Sequence, residues 1–275
     1  MEDDCNMDAP EYLDLGSARR LAFHRIAAAG GGASAPGVVF LGGFRSDMTG
    51  TKATWLDAWA RERGRAFLRF DYRGHGASSG DFLDGAIGDW ADDAAEAVAR
   101  LTDGPQILVG SSMGGWIALL LTKRMPGRLA GLVGIAAAPD FTEDSMWAEM
   151  GEAERRQLLE AGRIEQPSDY SDEPYVITRR LIEDGRRHLV LRSPLALPFP
   201  VRLLHGAADT DVPVSVALRL LEHADCPDAR LTLVKGADHR FSGPRELAIL
   251  GATLDEVTAA VDQIRRDQNG IGCPR

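Results

Sequence analysis

An α/β fold is predicted, with a mostly parallel sheet, helices on both of its faces and a small helical insertion. Apolar runs of strand length, among them VVFL, AFLRF, ILVG, LAGLVGI and VRLLHG, lack the alternation of a strand with one face in water, so they belong inside a covered sheet. Most are separated by segments with apolar residues at helical spacing, and strands alternating with helices pair in parallel. With 275 residues, 44% of them hydrophobic, the chain can bury one large core. Residues 1–275 are expected to form a single domain, with residues 140–196 inserted into it.

In chain order, YLDL and RLAFHRIA within residues 11–28 supply two short strands, and the stretch AAAGGGASAPG links them to the strand VVFLGGF at 38–44. Trp55, Leu56 and Trp59 then lie at helical spacing between Thr51 and Arg63. AFLRFDY is the next strand and RGHGASSG its turn. Residues 86–101 read as an amphipathic helix, ILVGSS as a strand running straight into the helix GGWIALLLTKRM, and LAGLVGIAAAP as a further buried strand. From 140 to 196 charge dominates, with Met146, Trp147, Met150, Leu158 and Leu159 set among the acids. A structureless loop of that length is unusual in a compact domain, so a small helical lid is expected. VRLLHG at 201–206 and RLTLVKG at 230–236 resume the sheet, and a helix from about Pro244 to Arg266 follows.

The formal net charge of −10, with acids spread along the chain, offers no basic patch for phosphate backbones, which argues against nucleic acid as a partner. Cys5, Cys226 and Cys273 are odd in number and far apart, a pattern that suits neither a disulfide framework nor a metal site. The start MEDDCNMDAP lacks the basic and apolar residues of a signal or transit peptide, and no apolar run is long enough to span a bilayer. A cytoplasmic protein is therefore expected. Composition says nothing about its oligomeric state.

Chemistry is carried by residues 110–114, GSSMG, which match G-x-S-x-G between a strand and a helix. In so sharp a turn the central residue is strained and its side chain lifted out of the sheet edge. The residues two before and two after must lack a Cβ for strand and helix to approach. That makes Ser112 the candidate nucleophile. A phosphate loop would instead need a lysine where Gly115 and Trp116 stand.

A serine hydroxyl needs a base within hydrogen-bond reach, itself oriented by a carboxylate. Of six histidines, His239 lies just after the last strand, where a loop can carry it over the sheet edge, and it completes the chain order nucleophile, acid, histidine. Asp209, in HGAADTDVP, is the expected acid, with Asp211 a turn carboxylate ahead of Pro213 and Asp140, after GIAAAP, the alternative acid. Backbone N–H groups of Met113 and Phe44 are expected to hold a developing oxyanion. Phe44, Met146, Trp147 and Met150 are the candidate substrate-binding side chains, although packing of the lid would explain the last three equally well. Such chemistry requires no metal and no organic cofactor.

GGFRSDMTGTKA, RFDYRGHGASSGDF, GSSMGGW, SPLALPFPVRLLHGAADTDVP and GADHRFS together resemble the α/β-hydrolase superfamily. More narrowly, they resemble its abhydrolase-domain serine esterases, the palmitoyl-protein thioesterase and acyl-glucuronide esterase family. The likeness runs over roughly residues 37–262, and is least in the lid. It implies an α/β-hydrolase fold, the triad Ser112, Asp209 and His239, and hydrolysis of carboxylic esters and acyl thioesters as small-molecule substrates. Acyltransferase, perhydrolase and peptidase activities can use the same triad. A ligand-binding hydrolase fold without chemistry would usually have lost a triad member, and all three are present.

Overall fold

A computed structural model describes residues 9–30, 35–166 and 174–268. Cys5, Cys273, part of the glycine-alanine link and part of the insertion lie outside the described residues. Described elements run β1 (Glu11–Asp14), β2 (Arg20–Ile26), β3 (Gly37–Leu41), α1 (Thr51–Glu62), β4 (Phe67–Phe70), α2 (Ile87–Leu101), β5 (Gln106–Ser111), α3 (Met113–Arg124) and β6 (Leu129–Ile135). A π-helix (Thr142–Trp147), α4 (Glu152–Ala161), β7 (Arg163–Gln166), β8 (Tyr175–Thr178) and α5 (Arg179–Gly185) follow. The chain then continues through β9 (Leu195–Ala196), β10 (Val201–Gly206), α6 (Val214–His223), β11 (Ala224–Asp225), β12 (Ala229–Val234) and α7 (Pro244–Gln268).

Eight strands form the main sheet in the order β1-β2-β4-β3-β5-β6-β10-β12. The β1–β2 and β2–β4 pairs are antiparallel, and the rest are parallel. Burial explains why the central strands are continuous apolar runs. Every residue of β3, β5 and β10 is buried, whereas the edge strand β12 is mostly exposed or half-buried. Successive side chains go to opposite faces. Val39, Leu41, Leu68 and Leu108 pack with Trp90, Ala94 and Trp116 of α2 and α3. Val38, Phe40, Phe67 and Ile107 pack on the other face with Leu56 and Trp59 of α1 and Leu250 and Leu254 of α7.

The insertion differs from the expectation of helices alone. Besides α4 and α5 it holds an antiparallel hairpin of β7 and β8, with Arg163 opposite Thr178 and Gln166 opposite Tyr175. The β-branched run in YVIT is the local signal for it. Met150, Leu158, Ile164, Ile177 and Ile182 are buried together as the insertion's own small core.

Two buried carboxyls contribute to stability with opposite dependence on acidity. Burial pushes Asp71, just beyond β4, from 3.8 up to about 6, against the opposing hydrogen bonds from the N–H groups of Ala77 and Met48. Its contribution is fully present below pH 3.8 and is lost as pH rises through about 6. Burial would also raise Asp184, but contacts from His188 and the Gly88 N–H outweigh it and hold the carboxyl at about 2. That contribution is present above pH 3.8 and is lost as pH falls through about 2. Asp71→Asn, which cannot ionise, is accordingly expected to lose less stability than the parent between about pH 4 and pH 6, and Asp184→Asn to lose less than the parent between about pH 4 and pH 2. Thermal melts of the parent and both variants across that range check it, and a difference between Asp71→Asn and the parent that stays constant from about pH 4 to pH 6 would contradict the role given to Asp71.

Candidate active site

The turn after β5 is built as its glycines require. A Cβ on Gly110 would lie 2.4 Å from the Gly114 carbonyl oxygen, and one on Gly114 only 2.0 Å from that of Leu41, so neither position admits a side chain. Between them Ser112 takes φ 53°, ψ −118°, a conformation few side-chain-bearing residues adopt. Its carbonyl oxygen accepts from the N–H groups of Gly115 and Ala138, and its own N–H donates to the Ile135 carbonyl, so three elements hold the strained backbone in place.

Parallel strands deliver the other groups to the same edge. In the register of β10 with β12, Gly206 faces Val234, so the loops that follow them leave the sheet side by side. The first carries Asp209 and the second His239. His239 Nε2 stands 3.1 Å from Ser112 Oγ, and His239 Nδ1 stands 2.9 Å from Asp209 Oδ2. Because a carboxylate can only accept, Nδ1 carries the proton and Nε2 is left to accept from the serine hydroxyl. The other oxygen of Asp209, Oδ1, accepts from the N–H groups of Asp211 and Val212, each at 2.9 Å. Burial opposes the charge on Asp209, but these hydrogen bonds, that of His239 foremost, draw its pKa below the ordinary carboxylate value.

The other two aspartates are placed elsewhere. Asp211 Oδ2 lies 4.0 Å from Nε2 of His239, on the side opposite the nitrogen that an orienting acid must hold. Asp140, fully buried at φ 60°, accepts from the N–H groups of Val190 and Leu191 at 2.8 and 3.0 Å and from Arg192 Nη1 at 2.8 Å. It ties the end of the insertion to the sheet, and burial raises its pKa against the hydrogen bonds it receives.

Ser112 and His239 open into a cleft of about 860 Å³. Phe44, Phe141, Met146, Tyr175, Ile177 and Leu191 make an apolar wall, while Ser46, Thr51, Lys52, Arg240 and Ser242 line a polar one. Phe44 meets Phe82, Trp90 and Phe141 edge-on, at 4.9, 5.9 and 5.9 Å between ring centres. The backbone before it lies against the elbow, since a Cβ on Gly43 would be 3.4 Å from that of Ser112. Met113 is fully buried at the start of α3.

Of the three lid residues expected in the cleft, only Met146 lines it. Trp147 is held between the guanidinium groups of Arg186 and Arg155, 4.4 and 5.0 Å from its ring centre, and Met150 is buried in the insertion's core. The reason is local: Met146 and Trp147 are adjacent residues of a π-helix (Thr142–Trp147) and so point to different faces, and Met150 lies beyond the end of that helix. Tyr175 and Ile177 of the hairpin take the place expected for Trp147 and Met150. Sequence reasoning missed them because a lid read as helical has no strand to present alternate residues to a cleft.

Among the described residues no helix is long and apolar enough to cross a membrane. Mitochondrial palmitoyl-protein thioesterase ABHD10 from Rattus norvegicus is 35% identical over 226 residues, covering 81% of this chain and 75% of that protein. Mouse alpha/beta hydrolase domain-containing protein 10 superposes with a TM-score of 0.84 at 31% identity, over 94% of this chain and 100% of that one. A crystal structure from Agrobacterium vitis superposes at 0.86 with 42% identity, over 90% and 97%. A family model, described as the alpha/beta hydrolase family, matches residues 38–250. With that match and those relatives, the chain belongs to the alpha/beta hydrolase family and is a hydrolase.

Proposed function

We propose that this hydrolase cleaves carboxylic esters and acyl thioesters through an acyl-enzyme on Ser112. The observation that carries the reading is the hydrogen-bonded series Ser112–His239–Asp209 on a strained elbow, opening into a cleft with one apolar wall. The relatives named as palmitoyl-protein thioesterases support thioesters as part of the substrate range. They are also named as mitochondrial.

In the first half-reaction Ser112 Oγ bonds to the acyl carbon while His239 Nε2 takes the hydroxyl proton. The N–H groups of Met113 and Phe44 receive the charge that builds on the carbonyl oxygen. Asp209 holds the tautomer and stabilises the imidazolium. As the tetrahedral adduct collapses, the carbon–sulfur or carbon–oxygen bond breaks and His239 returns the proton to the leaving thiol or alcohol. In the second, water gives its proton to His239 and its oxygen to the acyl carbon, and Ser112 is regenerated as the acid departs.

A fluorophosphonate probe tests the reading. It should label the parent protein at Ser112 alone, located by peptide mass mapping, and a label on Ser111 or no label would overturn it.

The cleft also bears on acyl choice. Each methylene of an acyl chain laid along Phe141, Met146, Tyr175 and Ile177 should contribute up to ~0.8 kcal/mol, so efficiency should climb with chain length until the wall is covered. Met146→Trp should shift the optimum to shorter chains. Trp147→Ala should leave the profile unchanged and lower the melting temperature. A kcat/KM series across chain lengths decides it, and a flat or acetyl-preferring parent would refute the acyl wall.

A further inference from the structure

Lys52 belongs to the stretch MTGTKA, which the triad leaves unused. It sits in the first turn of α1, immediately after the loop that carries Phe44, yet its ammonium crosses to the far end of the chain. Nζ donates to the Arg240 carbonyl oxygen and, at 3.3 Å, to Ser242 Oγ. Those residues follow His239 directly. Ser242 Oγ itself donates to the same Arg240 carbonyl at 2.8 Å, so one peptide oxygen gathers two donors.

The loop so held is conformationally demanding. Gly236 and Phe241 both have positive φ, at 80° and 49°, Phe241 is wholly buried, and its N–H donates to Asp238 Oδ1 at 3.1 Å. Lysine ordinarily keeps its head in water. Here the residue is half-buried and lines the reaction cleft, and burial lowers its pKa to about 8, with the like charge of Arg240 and against the attraction of Asp238.

We propose that Lys52 is a positioning residue that straps the His239 loop to α1 and so holds the imidazole at reach of Ser112. The proposal rests on the triad reading. It joins the two parts of the site that meet from opposite ends of the chain, the oxyanion loop after β3 and the histidine loop after β12.

Lys52→Met, Lys52→Gln and Lys52→Arg, made in the full chain, separate strap from scaffold. For each, the kinetics of an acyl thioester and the rate of fluorophosphonate labelling are followed beside a thermal melt. Lys52→Met should lose about 10²-fold in kcat, as a small misplacement of a reacting group does, with KM little changed and labelling slowed to a similar degree. Lys52→Arg should recover much of kcat and of the labelling rate, and Lys52→Gln, which is shorter and uncharged, should show the same loss of kcat even if the methionine variant fails to fold. Parental kcat and labelling in the uncharged variants would overturn the proposal. A lowered melting temperature with parental kcat would also overturn it, since the lysine would then serve stability alone. Absence of label on Ser112 in the parent would instead refute the triad reading, so the two failures are distinct.

Discussion

Replacing Ser112 with alanine is expected to lower hydrolysis on the order of ten-thousand- to a million-fold while leaving the fold intact. Oγ is the atom that His239 Nε2 faces at 3.1 Å, and nothing else in the elbow can stand in for it. Ser111, the last residue of β5, also borders the cleft, but it is Ser112 Oγ that His239 Nε2 meets. The fold should survive because the backbone at residue 112 is held by the Ile135 carbonyl and the N–H groups of Gly115 and Ala138, none of which involves the hydroxyl. A companion variant separates strain from chemistry. Ser112→Gly removes the side chain from a backbone at φ 53°, so it should be equally inactive and yet more stable than the alanine form by about 1 kcal/mol. Kinetics with a chromogenic ester and a thermal melt on both variants check the pair. Substantial activity in either would remove Ser112 from the nucleophile's role.

Asp209→Asn is expected to reduce kcat by about 10⁴-fold, because an amide facing Nδ1 permits the wrong tautomer of His239. Asp140→Asn should behave in the opposite way. Its carboxylate receives two backbone N–H groups and Arg192, and an amide nitrogen turned towards any of these donors leaves a buried polar clash. Its main effect should be a loss of stability of about 3 kcal/mol, with a much smaller change in kcat at temperatures where the protein stays folded. Comparing kcat and melting temperature for the two variants checks the assignment. An Asp140→Asn protein as inactive as Asp209→Asn at full fold content would mean that the orienting acid had been misidentified.

How much of this was legible beforehand follows from which interactions are local. Continuous burial on both sheet faces imposes continuous apolar runs, so β3, β5, β6 and β10 could be read directly. The elbow was equally legible, since Gly110 and Gly114 are required by contacts within one strand, one turn and one helix, together with the adjacent strand β3. Chain order alone placed Asp209 and His239 at strand ends on one sheet edge. Choosing Asp209 over Asp140 and Asp211 needed their partners, because three aspartates near strand ends differ only in whether imidazole, backbone and arginine, or cleft lies opposite. The insertion was least legible. Its charge-rich sequence carries few core positions, so whether Met146, Trp147, Met150, Tyr175 or Ile177 meets the cleft is decided by a π-helix, a hairpin and two flanking arginines. Lys52 depended wholly on tertiary structure, for its acceptors lie 188 and 190 residues away. The sequence by itself determined the sheet, the elbow and the supply of reactive groups, because short-range sterics and burial dictate them. Only the folded chain decided which carboxylate holds the histidine, which lid residues face the cleft and what straps the histidine loop, because those choices are contacts between segments that no local pattern encodes.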